Sequence, residues 1–355
     1  MLRIVTGRAG CGKTSEVFGR MKTEGGHRSQ LLLVPEQASF ETERRFCQEN
    51  GNRAGLYGEV LSFTRLENRV LSLAGGGAQT VLDEGGRLLV MYAALKAVSG
   101  NLTVYAMPSR KPEFLSSLLA TMDELKSCCV TGAHLAQVGE ETEGLDGEKL
   151  RDLGLIFGAY EAMTARGSLD PRDRLTRLAE KLKGYPYFKN KDVYLDGFTD
   201  FTPQQGLVLE QILRQAHSVT LTLTCGDRIG EEGVFAPARK TVAWMKRLAA
   251  KAGVPVEEET LPPRVGRHPA LAHLEEHLFA THKPSYGGED DRVVLASLPT
   301  PGRRSAGPPG RSETWSGPGR SATGTLPSLP GPWTGTGSTW RGSLPSMTSP
   351  SSSRT

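Results

Sequence analysis

The 355-residue chain carries 43 Lys and Arg against 39 Asp and Glu, a formal net charge of +4. It has no apolar run near the ~18–20 residues that a membrane-crossing helix needs, so no membrane association is expected. Its five cysteines form no C-x-x-C pair and no His/Cys cluster at zinc spacing, which argues against a disulfide framework or a sulfur-bound metal and fits a reducing cytoplasm.

The charge is unevenly spread. Residues 301–355 hold six Arg and one Glu, a net of +5, so residues 1–300 stand at −1 and the basic balance is poor evidence for nucleic-acid binding by the folded part. In chain order, Leu2 to Thr6 is a strand pattern that leaves no room for a signal peptide. Gly7-Arg8-Ala9-Gly10-Cys11-Gly12-Lys13-Thr14 follows at once and fits G-x-x-x-x-G-K-[ST] at every fixed position, with a helix predicted over 13–23. Glycines at 7, 10 and 12 let backbone N–H groups converge on one centre, where the helix start adds partial positive charge. Lys13 is then expected to neutralise the β and γ phosphates of ATP, and the Thr14 hydroxyl to ligate Mg²⁺.

The pattern continues with strand 30–35, helix 38–48, strand 58–62 and helix 63–74, until Gly75-Gly76-Gly77 interrupts it. Strands separated by helices predict a parallel sheet. From about 84 to 183 the pattern is helical, as in Arg87 to Leu95 and Leu153 to Met163, and residues 190–260 return to strand and helix in alternation. Asp192-Val193-Tyr194-Leu195-Asp196 is an apolar strand ending on a carboxylate, which makes Asp196 the candidate second Mg²⁺ residue. It lies 183 residues after Lys13, so an insertion splits one nucleotide-binding core.

The segment from Asp196 to Gln205, D-G-F-T-D-F-T-P-Q-Q, is similar to the D-E-x-Q-D-x-x-x-x-Q motif II of UvrD/Rec superfamily 1 helicases. Asp196, Asp200 and Gln205 match it. Gly197 stands where those motors carry the glutamate that activates water, and Thr199 replaces a glutamine. Ser218 to Thr224 leading to Cys225-Gly226-Asp227 looks like motif III, but Gly230 takes the place of its glutamine.

With L-L-L-V-P-E-Q-A-S-F at 31–40, V-L-S-F-T-R-L at 60–66, L-D-P-R-D-R-L at 169–175 and His273 to Phe279, these strings resemble the AddB/RexB family over about residues 1–300. That family supplies the B subunit of the bacterial ATP-dependent helicase/deoxyribonuclease. The resemblance implies a degenerate helicase core that binds ATP and reads a sequence in single-stranded DNA. It also implies a heterodimer with the true motor-nuclease of the same complex, the two working on single- and double-stranded DNA in double-strand break repair by recombination. Phe63, Arg65 and Arg69 follow a strand where such helicases touch DNA; without the resemblance Phe63 reads as core and the arginines as solvated. The family's carboxy-terminal nuclease with its iron–sulfur cluster has no match in this chain.

The expected fold is α/β: a P-loop RecA-like parallel sheet with an inserted all-helical subdomain and a disordered carboxy-terminal tail. Residues 1–83 form the first part of domain 1A, 84–189 a 1B-like insertion and 190–290 the second part of 1A. Arg292 to Ser297, within 291–300, reads as the first strand of a second RecA-like domain that does not follow. Pro, Gly, Ser and Thr fill 39 of the 55 positions in 301–355, which leaves too few apolar groups to order a chain. A shift of reading frame near residue 300 would explain this tail, and sequencing the gene tests it. Two other functions stay open on the residues alone, a stand-alone P-loop kinase and a scaffold in which nucleotide is structural.

Four features have plainer readings. His273-Leu274-Glu275-Glu276-His277 fits H-x-x-E-H but lacks a convincing third ligand and reads as a surface helix. Cys47, Cys128 and Cys129 read as packed thiols, and Cys11 as a variable loop residue open to oxidation. Asp170-Pro171 reads as a helix start.

Overall fold

The runs Leu2–Gly7, Ser29–Leu33, Lys191–Leu195 and Ser218–Thr224 are buried over most of their length, with Gln30, Asp192, Thr220 and Thr222 buried beside their apolar residues, because the strands they form are covered on both faces. The computed structural model describes residues 1–51, 53–75, 80–107, 111–165, 168–226, 232–263, 268–279 and 283–288. They belong to one compact unit, residues 1–290. Gly76, Gly77, Gly230, the strand expected at Arg292–Ser297 and the whole of 301–355 lie outside the described residues.

Six strands form one all-parallel sheet: β1 (Leu2–Gly7), β2 (Ser29–Leu33), β3 (Gly58–Leu61), β4 (Lys191–Leu195), β5 (Ser218–Thr224) and β6 (Val256–Thr260), in the order β3-β2-β4-β5-β1-β6. Leu32 and Tyr194 face Val17, Phe18 and Met21 of α1 (Lys13–Glu24) and Phe46 of α2 (Ser39–Asn50). Leu31, Leu33, Val193 and Leu195 face the opposite layer. That layer comprises α4 (Phe63–Ala74), which follows the short α3 (Ala54–Tyr57), and α9 (Arg174–Gly184), α10 (Pro203–Gln215) and α11 (Glu232–Ala252). β4 and β5 enter the sheet between β1 and β2, so the carboxyl ends of β1 and β4 are separated only by β5. A crevice outside strand ends is where parallel sheets place ligands.

Between α4 and α9 the chain makes α5 (Glu84–Val98), α6 (Pro112–Ser127), α7 (Gly132–Glu141) and α8 (Gly144–Thr164), with their own core of Met91, Leu95, Met122, Phe157 and Tyr160. The α7–α8 contact uses close backbones rather than an apolar stripe. A Cβ on Gly132 would lie 2.6 Å from the Gly158 amide nitrogen, so glycine at the contact lets the two backbones meet. Asp170 joins this block to α9. Its side chain is 0% exposed and meets Arg87 Nε at 3.1 Å, Lys126 Nζ at 2.9 Å and the Tyr160 hydroxyl at 3.0 Å. Burial raises the Asp170 pKa, but the Arg172 amide, Lys126 and Arg87 outweigh it and hold the carboxyl below its ordinary range.

One sequence reading is corrected. Cys47 and Cys128 are exposed rather than packed, and Cys129 is half-buried. Cys128 is the cap at which α6 ends and Cys129 has φ 60°, so helix termination, not core filling, sets their place.

Candidate functional site

The glycine loop joins β1 to α1. Gly10 and Gly12 have φ 73° and 98°, a region that glycine enters freely, and Gly12 begins α1 with no side-chain cap. The first amides of the helix therefore face the loop's mouth. Gly7 is fixed by space: a Cβ there would meet Cys11 Sγ at 2.6 Å and the Leu261 carbonyl at 3.3 Å. Cys11 thus packs behind the loop. Lys13 curls back, Nζ donating to the Gly7 and Arg8 carbonyls at 2.9 Å each.

Opposite, the Thr14 hydroxyl donates to Asp196 Oδ2 at 2.7 Å, and the Thr222 hydroxyl of β5 donates to Asp196 Oδ1. The Asp196 amide donates to the Leu33 carbonyl at 3.1 Å, which ties this residue to the end of β2. Ala9, Gly10, Gly12, Lys13, Thr14 and Asp196 line one cavity of about 450 Å³ together with Ser15, Arg45, Thr222 and Thr224. Arg45 was not foreseen. It reaches over from α2, donates to Ser15 Oγ at 3.0 Å and pairs with Glu49 at 2.6 Å. Arg8 turns the other way, its Nε donating to Glu275 Oε1 at 2.5 Å on α12 (Pro269–His277). On α12, the His273 and His277 rings meet at a tilt of 54° with centroids 4.5 Å apart, and His273 Nε2 lies 2.9 Å from the Pro284 carbonyl oxygen. Among the described residues no group of three or more His, Cys, Asp or Glu is arranged to hold a metal, and no helix is long and apolar enough to cross a membrane.

Gly197, Phe198 and Thr199 line the glycine-loop cavity and also a neighbouring cavity of about 590 Å³. Gly197 has φ 81°, and a Cβ on it would lie 3.3 Å from Pro35 Cδ. The second cavity is aromatic. Phe63 meets Phe198 edge-on with centroids 5.8 Å apart, and Phe198 meets Phe201 at 4.8 Å. Thr64 and Glu67 of α4, Pro171, Arg172 and Arg174, and Gln204 and Gln205 complete its wall. Gln205 closes a capping box at the start of α10, its Oε1 accepting from the Thr202 amide at 2.8 Å.

The structure separates the three residues expected at DNA. Phe63 is in the cavity wall, whereas Arg65 pairs with Glu43 at 2.9 Å and Arg69 with Glu59 at 3.5 Å, and neither lines the cavity. Helical spacing accounts for this, since positions 63 and 67 share a face of α4 that 65 and 69 do not. Glu67 is 1% exposed, with Arg174 Nε at 2.8 Å and Arg177 at 3.6 Å. Its burial raises the carboxyl pKa against the pull of both arginines.

Residues 4–275 match the family model described as ADDB, N-terminal. A protein of Moorella thermoacetica, named as the B subunit of an ATP-dependent helicase/deoxyribonuclease, is 37% identical over 296 residues, 78% of this chain and 26% of that protein. Proteins of the same name from Thermoanaerobacter sp. (strain X514) and Clostridium tetani are each 33% identical, covering 83% and 79% of this chain and 27% and 26% of their own lengths. The chain thus spans about a quarter of the curated relatives it matches.

Proposed function

The chain belongs to the family of ADDB amino-terminal domains, and on that premise we propose that it is the nucleotide-binding, DNA-contacting amino-terminal part of the B subunit of an ATP-dependent helicase/deoxyribonuclease. The observation that carries the nucleotide half is the 2.7 Å bond from Thr14 to Asp196 at the mouth of the glycine loop. A hydroxyl and a carboxylate held together beside convergent amides and a lysine are the donor set of a nucleotide-bound Mg²⁺. Gly7 to Gly12 would cradle the phosphates, Lys13 would swing from the loop carbonyls to the β and γ phosphates, and Thr14 and Asp196 would hold the metal. Such an ion would supply neutralisation of phosphate charge.

Turnover is expected to be slow, because Gly197 offers no carboxylate where the motors carry their water-activating glutamate. In this reading residues 1–83 and 190–290, with α9 packed on their sheet, are RecA-like domain 1A, and within 84–189 the helices α5 to α8 are the 1B-like insertion.

Single-stranded DNA would occupy the aromatic cavity, its bases against Phe198 and Phe201. The protein partner is the motor-nuclease of the same heterodimer, and the setting is double-strand break repair in the cytoplasm. The iron–sulfur cluster belongs to parts of the family outside this chain. Calorimetry with ATP·Mg²⁺ and an ATPase assay with and without single-stranded DNA test the proposal: binding of both ligands with little hydrolysis is expected. Phosphate transfer to a small metabolite independent of DNA would reject it in favour of a kinase, and failure to bind ATP would reject the nucleotide site.

A further inference from the structure

Beyond its part in the family resemblance, the string Leu169-Asp170-Pro171-Arg172-Asp173-Arg174-Leu175 reads from sequence as a helix start, and the nucleotide site makes no use of it. The structure gives it another setting. A cavity of about 630 Å³ lies against α5 and α6, lined by Glu84, Arg87 and Asp123 among others, and it shares Thr64, Pro171, Arg172 and Arg174 with the aromatic cavity. The two cavities meet along one ridge, and two arginines stand on it.

Both guanidinium groups are anchored through Nε. Arg172 meets Asp123 Oδ2 at 2.9 Å, and Arg174 meets Glu67 Oε2 at 2.8 Å with its Nη2 also donating to Asn68 at 3.2 Å. The Arg172 backbone is held on both sides, its amide donating to Asp170 at 2.9 Å and its carbonyl accepting from Gln204 at 2.8 Å. Even so, the side chains of Arg172 and Arg174 remain 57% and 35% exposed. The lining as a whole is not basic: Arg87, Arg172 and Arg174 share the two cavities with Glu36, Glu67, Glu84, Asp123 and Asp200, so a phosphate contact here is local to the two exposed guanidinium groups.

We propose that Arg172 and Arg174 form a phosphodiester-binding ridge, over which a single strand seated in the aromatic cavity continues into the cavity against α5 and α6. This rests on the reading of the aromatic cavity as a single-strand site. Stacked bases on one side of the ridge leave the charged backbone to be carried across it, and a pre-positioned arginine fork suits a phosphate better than a mobile lysine.

The test is fluorescence anisotropy on the full 355-residue chain with labelled oligo-dT of about 16 nucleotides, the upper site size of a single-strand groove, over a salt series. Arg172→Ala removes an exposed side chain from a locked backbone. It is expected to weaken binding about tenfold, the value of one charged hydrogen bond, and to lower the slope of log K against log salt by about 0.7. Arg172→Lys should restore the slope. On an oligonucleotide with uncharged methylphosphonate linkages, wild type and Arg172→Ala should bind alike. An unchanged slope, or the same loss on the uncharged strand, overturns the ridge and leaves the aromatic cavity standing. Wild-type protein that binds no oligo-dT overturns both.

Discussion

Two cavities lie on either side of the short loop from Asp196 to Phe201, and they are assembled in different ways. The glycine-loop cavity is mostly loop backbone and hydroxyls, with Lys13, Arg45 and one carboxylate, and six of its residues come from the contiguous stretch Ala9 to Ser15. The aromatic cavity is made of side chains drawn from four separate stretches, residues 35–36, 63–67, 171–175 and 197–205. A site built from a continuous turn tolerates change in the packing around it, because its geometry is local. A site built from distant segments depends on whatever holds those segments together, here the pairs of Glu67 with Arg174 and Arg177, the Gln204 bond to the Arg172 carbonyl, and the buried contacts of Asp170 that fix the start of 171–175.

The strongest challenge to that contrast is Asp170→Asn. It removes charge from a fully buried carboxylate that faces Arg87 and Lys126, and such losses cost about 3–5 kcal/mol. Urea denaturation should show this at neutral pH. Because the folded-state pKa is lowered, the Asp170 contribution is complete above the unfolded-state pKa and is lost as pH falls through the folded value. The variant should therefore show a shallower loss of stability in acid. If the comparison is sound, its oligonucleotide binding falls more than its ATP binding at a temperature where it is still folded.

Lys13→Ala is the converse. Loss of a charged donor to phosphate costs about 1.5–3 kcal/mol, so calorimetry should find ATP binding weakened at least tenfold with oligo-dT affinity little changed. Phe198→Ala is expected to cost about 1–3 kcal/mol of oligonucleotide binding, the worth of one stacked base, measured by anisotropy. A matching loss of ATP affinity would show that the shared loop does not insulate the two sites. The smallest effects belong to Arg65→Ala and Arg69→Ala, whose exposed ion pairs are worth about 0–1 kcal/mol. A large loss of DNA binding from either would put the contact surface on the other side of α4.

The legibility of the sequence follows the same division. The glycine loop and Asp196 could be found because each sits at the end of an apolar strand, and strand ends converge in a parallel sheet. Thr222 carried a signal as well, since Ser218 to Thr224 alternates hydroxyl and apolar residues although both faces are buried. Arg45 carried none: it lies on an amphipathic helix among other charges, and only the packing of α2 beside α1 brings it to Ser15. Phe63 and Phe198 were visible as aromatics next to strands, but Arg172 and Arg174 were hidden behind a helix-start pattern that they also satisfy. The helices α5 to α8 were foreseen as a block. Their order and the glycine-mediated contact of α7 with α8 were not, because close backbone approach leaves no periodic stripe.

Gly197 also limits which residues its turn can carry. A glutamate at this position would have to take φ 81° beside Pro35, a left-handed backbone that costs a residue with a side chain about 1–2 kcal/mol. Gly197→Glu alone would thus insert the missing carboxylate into a backbone that resists it, and would disturb the wall shared by both cavities. The geometry of this one turn therefore favours glycine itself: any larger residue would bear both the left-handed backbone and the contact with Pro35.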